Sequence, residues 1–203
     1  MTTVKADGRR VTKRPDERRR DLLDAAVRVF AKKGVSAATV SDIAKAAGVA
    51  KGTFYLYYSS KEHLLGALKE RFVDEMMEHA TSLYEQVGKE DWWALVDETV
   101  ESFVDFILAR RDQVHVLIQE GITPETSAIF SVAEQKIDIM FAAAIRAGNE
   151  AGAFRVTDPE LTGRLLHHAL DGAMTHAVLY EQDIDRGRLV AAARELVHKT
   201  LAP

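Results

Sequence analysis

The chain has 203 residues, is 47% hydrophobic and carries a formal net charge of −4, enough apolar content to bury a core as one large domain or as a small one plus a medium one. It has no cysteine, which excludes disulfides and thiolate metal sites, and no run near the ~18 uninterrupted apolar residues of a membrane span. The basic N-terminus MTTVKADGRRVTKRPDERRR lacks the apolar stretch of a secretory signal, so the expected compartment is the cytoplasm, without a membrane partner.

The charge is unevenly spread. Residues 1–61 hold 14 Lys/Arg against 6 Asp/Glu, whereas residues 62–203 hold 13 against 25. A basic end on an acidic body points to a polyanion-binding module joined to a part that does not touch the polyanion; a solvated basic tail is the plain alternative. Residues 1–14 read as a flexible basic arm. Helical periodicity then predicts elements at 16–33, 40–47, 51–58, 61–87, 91–110, 112–119, 124–147, 158–182 and 185–201, with no strand-like alternation. The predicted fold is all-α. Pro124 and Pro159 follow the capping residues Thr123 and Asp158 and fit first helical positions.

The first helix carries Leu22, Leu23, Ala26, Val27 and Phe30 on one stripe, with arginines largely off it. It stops at Lys32-Lys33-Gly34, where cations suit a C-terminus and glycine suits a left-handed turn. In ATVSDIAKAAGV, Thr39 is a candidate N-cap with Asp42 three residues on. Ile43, Ala44 and Ala47 face inward, Gly48 fits a tight turn and Val49 plugs the corner. A short helix, a glycine turn and a second short helix make a helix-turn-helix.

At ~100° per residue, Phe54 and Tyr58 form the buried side of the next helix. Gly52, Thr53 and Leu56 lie opposite, flanked by Tyr55 and Tyr57, with Lys51 in the first turn. A small residue, a hydroxyl, an apolar tip, a cation and two phenols suit a DNA groove. Lys51 and Thr53 are placed for base edges or phosphates, Leu56 for a thymine methyl and the phenols for phosphates. Lys61, opening the following helix, is a further candidate for phosphate. Packing is the alternative reading of the tyrosines, and the one that suits Tyr58.

These residues resemble a known family. TVSDIAKAAGVAKGTFYLYYSSKEHLL, Thr39 to Leu65, is similar to the DNA-binding signature of the TetR family of bacterial transcription regulators, and LLDAAVRVFAKKG looks like its first helix. The likeness spans residues 18–70. It implies a helix-turn-helix DNA-binding domain at 15–60 and a helical effector-binding and dimerisation domain at 61–203. By the same resemblance Thr39 and Ser41, with Lys51, Gly52, Thr53, Tyr55, Tyr57 and Lys61, fall where the family commonly touches DNA. Two departures are mild: Tyr58 stands for a more usual Phe, and Ala50 for a frequent Ser.

In the body, the segment DPELTGRLLHHALDGAMTHAVLYEQ is apolar on two sides. One face meets its own core. The other, with Leu161, Leu165, Ala169, Gly172, Ala173 and His176, is expected to join Leu189, Ala193, Leu196 and Val197 in a four-helix bundle with a second subunit. A buried central helix in a monomer is the alternative. Candidates for an effector pocket are Phe72, Met76, Phe103, Phe106, Ile107, Ile118, Phe130, Met140 and Phe141, with His115, Gln119 and His168 as polar handles. Plain core is the competing reading for each. Asp97, Glu101 and Asp105 read as a solvated row. Trp92-Trp93 is compatible with a staple, a pocket wall or an interface.

No enzyme motif is present: there is no HExxH, phosphate-cradling glycine loop, nucleophile elbow or cysteine nucleophile. Adjacent His167 and His168 are expected to diverge on a helix. No cofactor or metal is expected. The leading reading is a ligand-responsive transcriptional repressor, a homodimer on a palindromic double-stranded operator released by a small hydrophobic or amphipathic effector. Two others compete: a helical small-molecule-binding protein or enzyme with an incidental basic end, and a DNA binder controlled by a protein partner.

Overall fold

The computed structural model describes residues 14–87, 91–119 and 124–202. Among them are nine helices and no strand: α1 (Pro15–Lys33), α2 (Val40–Ala46), α3 (Lys51–Tyr55), α4 (Lys61–Val87), α5 (Trp92–Ala109), α6 (Arg111–Gln119), α7 (Pro124–Glu150), α8 (Pro159–Tyr180) and α9 (Arg186–Leu201). All but the last residue of the expected basic arm, and the expected cap Thr123, lie outside the described residues. Three later helices are capped alike. The carboxylates of Asp91, Asp158 and Asp185 accept from the N–H groups of Ala94, Leu161 and Arg188, each at 2.9 Å, satisfying donors that a helix start leaves open.

The helix expected at 51–58 is shorter. It ends at Tyr55, and Leu56 and Tyr57 continue in a tighter coil, donating to the carbonyls of Thr53 at 3.3 Å and Phe54 at 3.0 Å. That winding lets Phe54 and Tyr58 still point the same way, into the core.

α1, α2 and α3 pack around Leu22, Ala26, Phe30, Ile43, Phe54 and Tyr58, and α4 inserts Leu64, Leu65 and Leu68 among them. The same apolar cluster continues without a break through Phe72, Val73 and Met76 of α4 to α5, α6, α7 and α8. Burying each of these large side chains contributes roughly 1.5–3 kcal/mol. A second cluster, with Val100, Ile145, Phe154, Leu166, Leu170, Ala193, Val197 and Leu201, closes the far end of the body. α7 lies along both α4 and α8, α5 along α9, and α6 bridges α1 to α8.

The acidic row Asp97, Glu101 and Asp105 is not a bare solvated face. It grips α9. Arg186 donates to Asp105 at 2.5 and 2.8 Å and to Glu101 at 2.7 Å; Arg194 donates to Glu101 at 2.7 Å, and His198 pairs with Asp97 at 2.8 Å. The Arg186 guanidinium holds the Glu101 and Asp105 carboxyls below their ordinary range. Periodicity identifies the polar side of α5 but not the basic side of α9 lying beside it.

Candidate nucleic-acid interface and internal cavity

The turn between α2 and α3 is built by a glycine. Gly48 has φ of 68°, a left-handed conformation that side chains with a Cβ disfavour. Its N–H donates to the Lys45 carbonyl at 3.1 Å, and the Val49 N–H to the Ala44 carbonyl at 2.9 Å, so two end carbonyls of α2 are paired while Val49 packs on the core. At the other end of α2 the Asp42 N–H donates to Thr39 Oγ1 at 3.1 Å, and the Thr39 N–H and hydroxyl donate to Asp42 Oδ2 at 3.1 and 2.8 Å. Lys33 of α1 donates to Asp42 Oδ1 at 2.7 Å. Lys33 first, then Thr39, lower the Asp42 pKa to about 2.

With Phe54 and Tyr58 buried below, the rest of α3 faces outward. Lys51 and Gly52 are exposed, Leu56 is 79% exposed and Tyr55 51%, and Tyr55 stands edge-on to Phe54 with ring centroids 5.4 Å apart. A Cβ built on Gly52 meets no protein atom within 4 Å. Thr39 and Ser41, at the start of α2, are both exposed. Thr53 and Tyr57 are half-buried, and Tyr57 packs partly on the core. Burial raises the pKa of Tyr58.

Lys61 differs from expectation. Its ammonium turns back to the α1–α2 loop and donates to the carbonyls of Val35 at 2.6 Å, Ser36 at 3.3 Å and Ala38 at 3.3 Å. Those loop carbonyls occupy the ammonium in the chain by itself.

In the body, α4, α5, α7 and α8 line a partly open cavity of about 420 Å³, within the range of roughly 300–1,000 Å³ typical of ligand sites. Phe72, Met76, Phe103, Phe106, Ile107, Met140 and Phe141 line it. The other expected residues do not join that wall. Phe130 is buried in the core, on the side of α7 where the Lys69 ammonium lies 5.8 Å from its ring centroid, and Ile118 packs against the same core. His115 sits on α6, away from the wall. The Gln119 side chain lies outside the described residues. His168 points outward, and its neighbour His167 reaches the wall instead.

Several lining residues escaped the sequence reading. Trp92 is wall, in contact with Tyr84 and Phe154 at centroid distances of 6.3 and 5.6 Å, while Trp93 packs between Phe154 and His198. Phe154 sits in an irregular segment with no periodicity to flag it. Polar groups are few: His79 hydrogen-bonded to Ser102, and Lys69, His167 and Asp171 toward α8. Asp171 is exposed and lines the wall, and desolvation by the surrounding protein raises its pKa, with the Lys69 ammonium opposing. His167 and His168 do not diverge: their rings stack at 4.7 Å with 22° between planes. Rotation about χ1 and χ2 folds both over one side of α8, which backbone spacing alone does not reveal.

The outer face of α8 presents Leu161, Leu165, Ala169, Gly172, Ala173 and His176, all exposed, and Leu165 is 62% so. Leu196 of α9 is 42% exposed beside half-buried Leu189. Ala193 and Val197 correct the expected interface: both are buried in this chain's second cluster, because α9 turns that side toward α5.

A capped helix, a glycine turn and a short helix with an uncovered polar face, set on a helical body with a cavity, define a helix-turn-helix regulator. Residues 22–68 match the family described as bacterial regulatory proteins, tetR family, and residues 90–175 match the tetracyclin repressor-like C-terminal domain. The chain belongs to the TetR family of bacterial transcriptional regulators.

Among its relatives, the HTH-type transcriptional repressor KstR2 of Rhodococcus jostii is 29% identical over 156 residues, 73% of this chain and 74% of that protein. The fatty acid degradation regulator FadR of Bacillus halodurans is 27% identical, with a TM-score of 0.78 over 92% of this chain and 96% of that one. FadR of Bacillus subtilis, solved in complex with stearoyl-CoA, is 24% identical with a TM-score of 0.75 over 88% and 96%. Against two other curated relatives, both regulators of Bacillus subtilis, the match spans only 53% and 39% of their length.

Proposed function

We propose that the chain is a homodimeric repressor that binds a palindromic operator and is released by an amphipathic effector with a long hydrocarbon chain. The observation that carries this reading is the uncovered face of α3. Lys51, Gly52, Tyr55 and Leu56 are exposed above a buried Phe54–Tyr58 floor, and no protein atom occupies the space over Gly52. The fold leaves those side chains largely uncovered, and a DNA groove uses each of them. The apolar outer face of α8, with Leu196, supports pairing with a second copy, which sets two such faces about one DNA turn, ~34 Å, apart.

The effector class rests on the cavity. Its wall is almost wholly apolar, with Lys69, His79 and His167 as its basic groups. That suits a fatty acyl chain with an anionic or polar head, the type of molecule bound by the Bacillus subtilis neighbour. α4 carries Phe72 and Met76 in the wall and Leu64, Leu65 and Leu68 in the core shared with α1–α3, and α6 touches both α1 and α8. An effector that displaces α4 or α6 therefore moves the reading face. A coupling of about 1–3 kcal/mol, roughly 5- to 150-fold in operator affinity, is the expected size.

The experiment is a selection of bound fragments from the protein's own genome, followed by anisotropy titrations with acyl-CoA thioesters of graded chain length. Salt-dependent duplex binding that a long-chain thioester weakens is the expected result. Duplex binding that no saturating, demonstrably bound thioester alters removes the effector reading. Absence of duplex binding at low salt removes the DNA reading and favours a helical small-molecule-binding protein.

A further inference from the structure

We propose that Glu134, His167 and His168 bind one divalent transition-metal ion of the zinc class at the seam between α7 and α8. One ligand atom from each of the three lies within 4.8 Å of the other two. His167 Nε2 is 3.5 Å from Glu134 Oε2, near the edge of about 3.4 Å between two ligands held tetrahedrally at about 2.1 Å. The adjacent, exposed His168 supplies the second imidazole; its ring stacks on His167, so it turns about χ1 and χ2 to aim a lone pair at the ion. Two imidazoles and a carboxylate suit borderline dications and leave a coordination position open.

The surroundings orient these groups as a metal site requires. His167 is 4% exposed, and its Nδ1 is held by Asp138 Oδ1 at 2.8 Å, while Arg164 donates to the other oxygen of that carboxylate at 3.0 Å. A carboxylate behind a ligating histidine fixes tautomer and ring orientation. The other ring nitrogen, Nε2, faces a carboxylate oxygen of Glu134, where an ion can bridge the two.

Glu134 is itself held from behind, because Lys69 lies 2.8 Å from Oε1 and leaves Oε2 free to face the histidines. An ion on Oε2 joins α7 to α8 without breaking the Lys69 contact to α4. The carboxylates of Glu134 and Asp138 lie around the ligand atoms, with Lys69 and Arg164 paired to them. The site shares His167 and Lys69 with the cavity wall, but its test reads neither DNA nor effector binding.

The test uses the full chain after treatment with chelator, titrated with Zn²⁺ by calorimetry and with Co²⁺ by visible absorption. One equivalent per chain, d–d bands of a low-symmetry site and a raised Tm are expected, since an ion binding only the folded state stabilises it. His168→Ala, an exposed position that leaves the core intact, and Glu134→Gln lose that equivalent. Asp138→Asn weakens binding about 10- to 100-fold. His176→Ala, elsewhere on α8, keeps it. Equal Zn²⁺ affinity in the parent and His168→Ala overturns the proposal, as does failure of the parent to develop d–d bands; a proton shared by His167 and Glu134 would then bridge the two acceptors instead of an ion.

Discussion

A methyl group at position 52 meets nothing in the protein, so the fold does not require glycine there. Gly52→Ala is expected to leave Tm unchanged or slightly raised, since alanine is the better helix former by up to ~1 kcal/mol. Operator affinity is expected to fall about tenfold or more, because a groove floor is the surface the methyl would strike. Anisotropy beside thermal unfolding separates the two effects; retained affinity would place α3 away from the bases. Gly48 is the opposite case, with its positive φ demanded by the turn.

Asp42 gives a pH signature. Its folded pKa of about 2 lies below the ordinary 3.8, so its contribution to stability is present above the higher value and disappears as pH falls through the lower. Asp42→Asn is expected to lower Tm near neutrality and to converge with the parent as pH approaches 2. Parallel curves across that window would detach the Lys33–Asp42 pair from stability. These capping and turning residues were legible because their partners are three to five positions away. Lys61 was not: the carbonyls that hold it are 23 to 26 positions earlier in the chain.

Two glycines on α8 distinguish its two packed directions. A Cβ at Gly163 would lie 3.0 Å from the Ala142 backbone nitrogen and 3.1 Å from Phe141 Cβ, so α7 approaches there as closely as backbone allows. Gly163→Val is expected to destabilise the protein by about 1–3 kcal/mol in urea unfolding, since a backbone neighbour cannot step aside. Gly172 meets nothing within 4 Å, and alanine there is expected to be neutral in the isolated chain. Equal effects at both positions would contradict the α7–α8 contact. The two-sided apolar pattern of α8 was visible from its spacing. Which side of α9 faces inward was not, because α9 is polar and apolar in alternating patches and the Arg186–Glu101–Asp105 network with α5 decides its rotation.

At the scale of the proposed homodimer, the outer face of α8 is the contact surface to test. Leu165→Glu is expected to yield monomers in light scattering with near-native helicity, because the side chain is 62% exposed within one chain. Operator affinity should fall with it, as one reading face replaces two. A dimer that persists in Leu165→Glu would move the interface off α8. The unbroken core from α1 to α8 also explains how a cavity among α4, α5, α7 and α8 sits within reach of the reading face: packed side chains shift together rather than deform separately.

The sequence by itself determined the helix order, the Thr39 and Asp158 caps and the exposure of Lys51, Gly52, Tyr55 and Leu56, because those depend on 3.6-residue periodicity, on capping three residues apart and on a glycine's freedom at one turn. It also supplied most of the aromatic cavity wall, since large apolar side chains on inward stripes must lie near any internal space. Only the tertiary structure decided what meets across helices: Phe154 against Trp92 and Trp93, the acidic row of α5 against α9, and Glu134 against the stacked His167 and His168. Such contacts depend on the rotation and crossing of whole helices, which pattern along one chain leaves free.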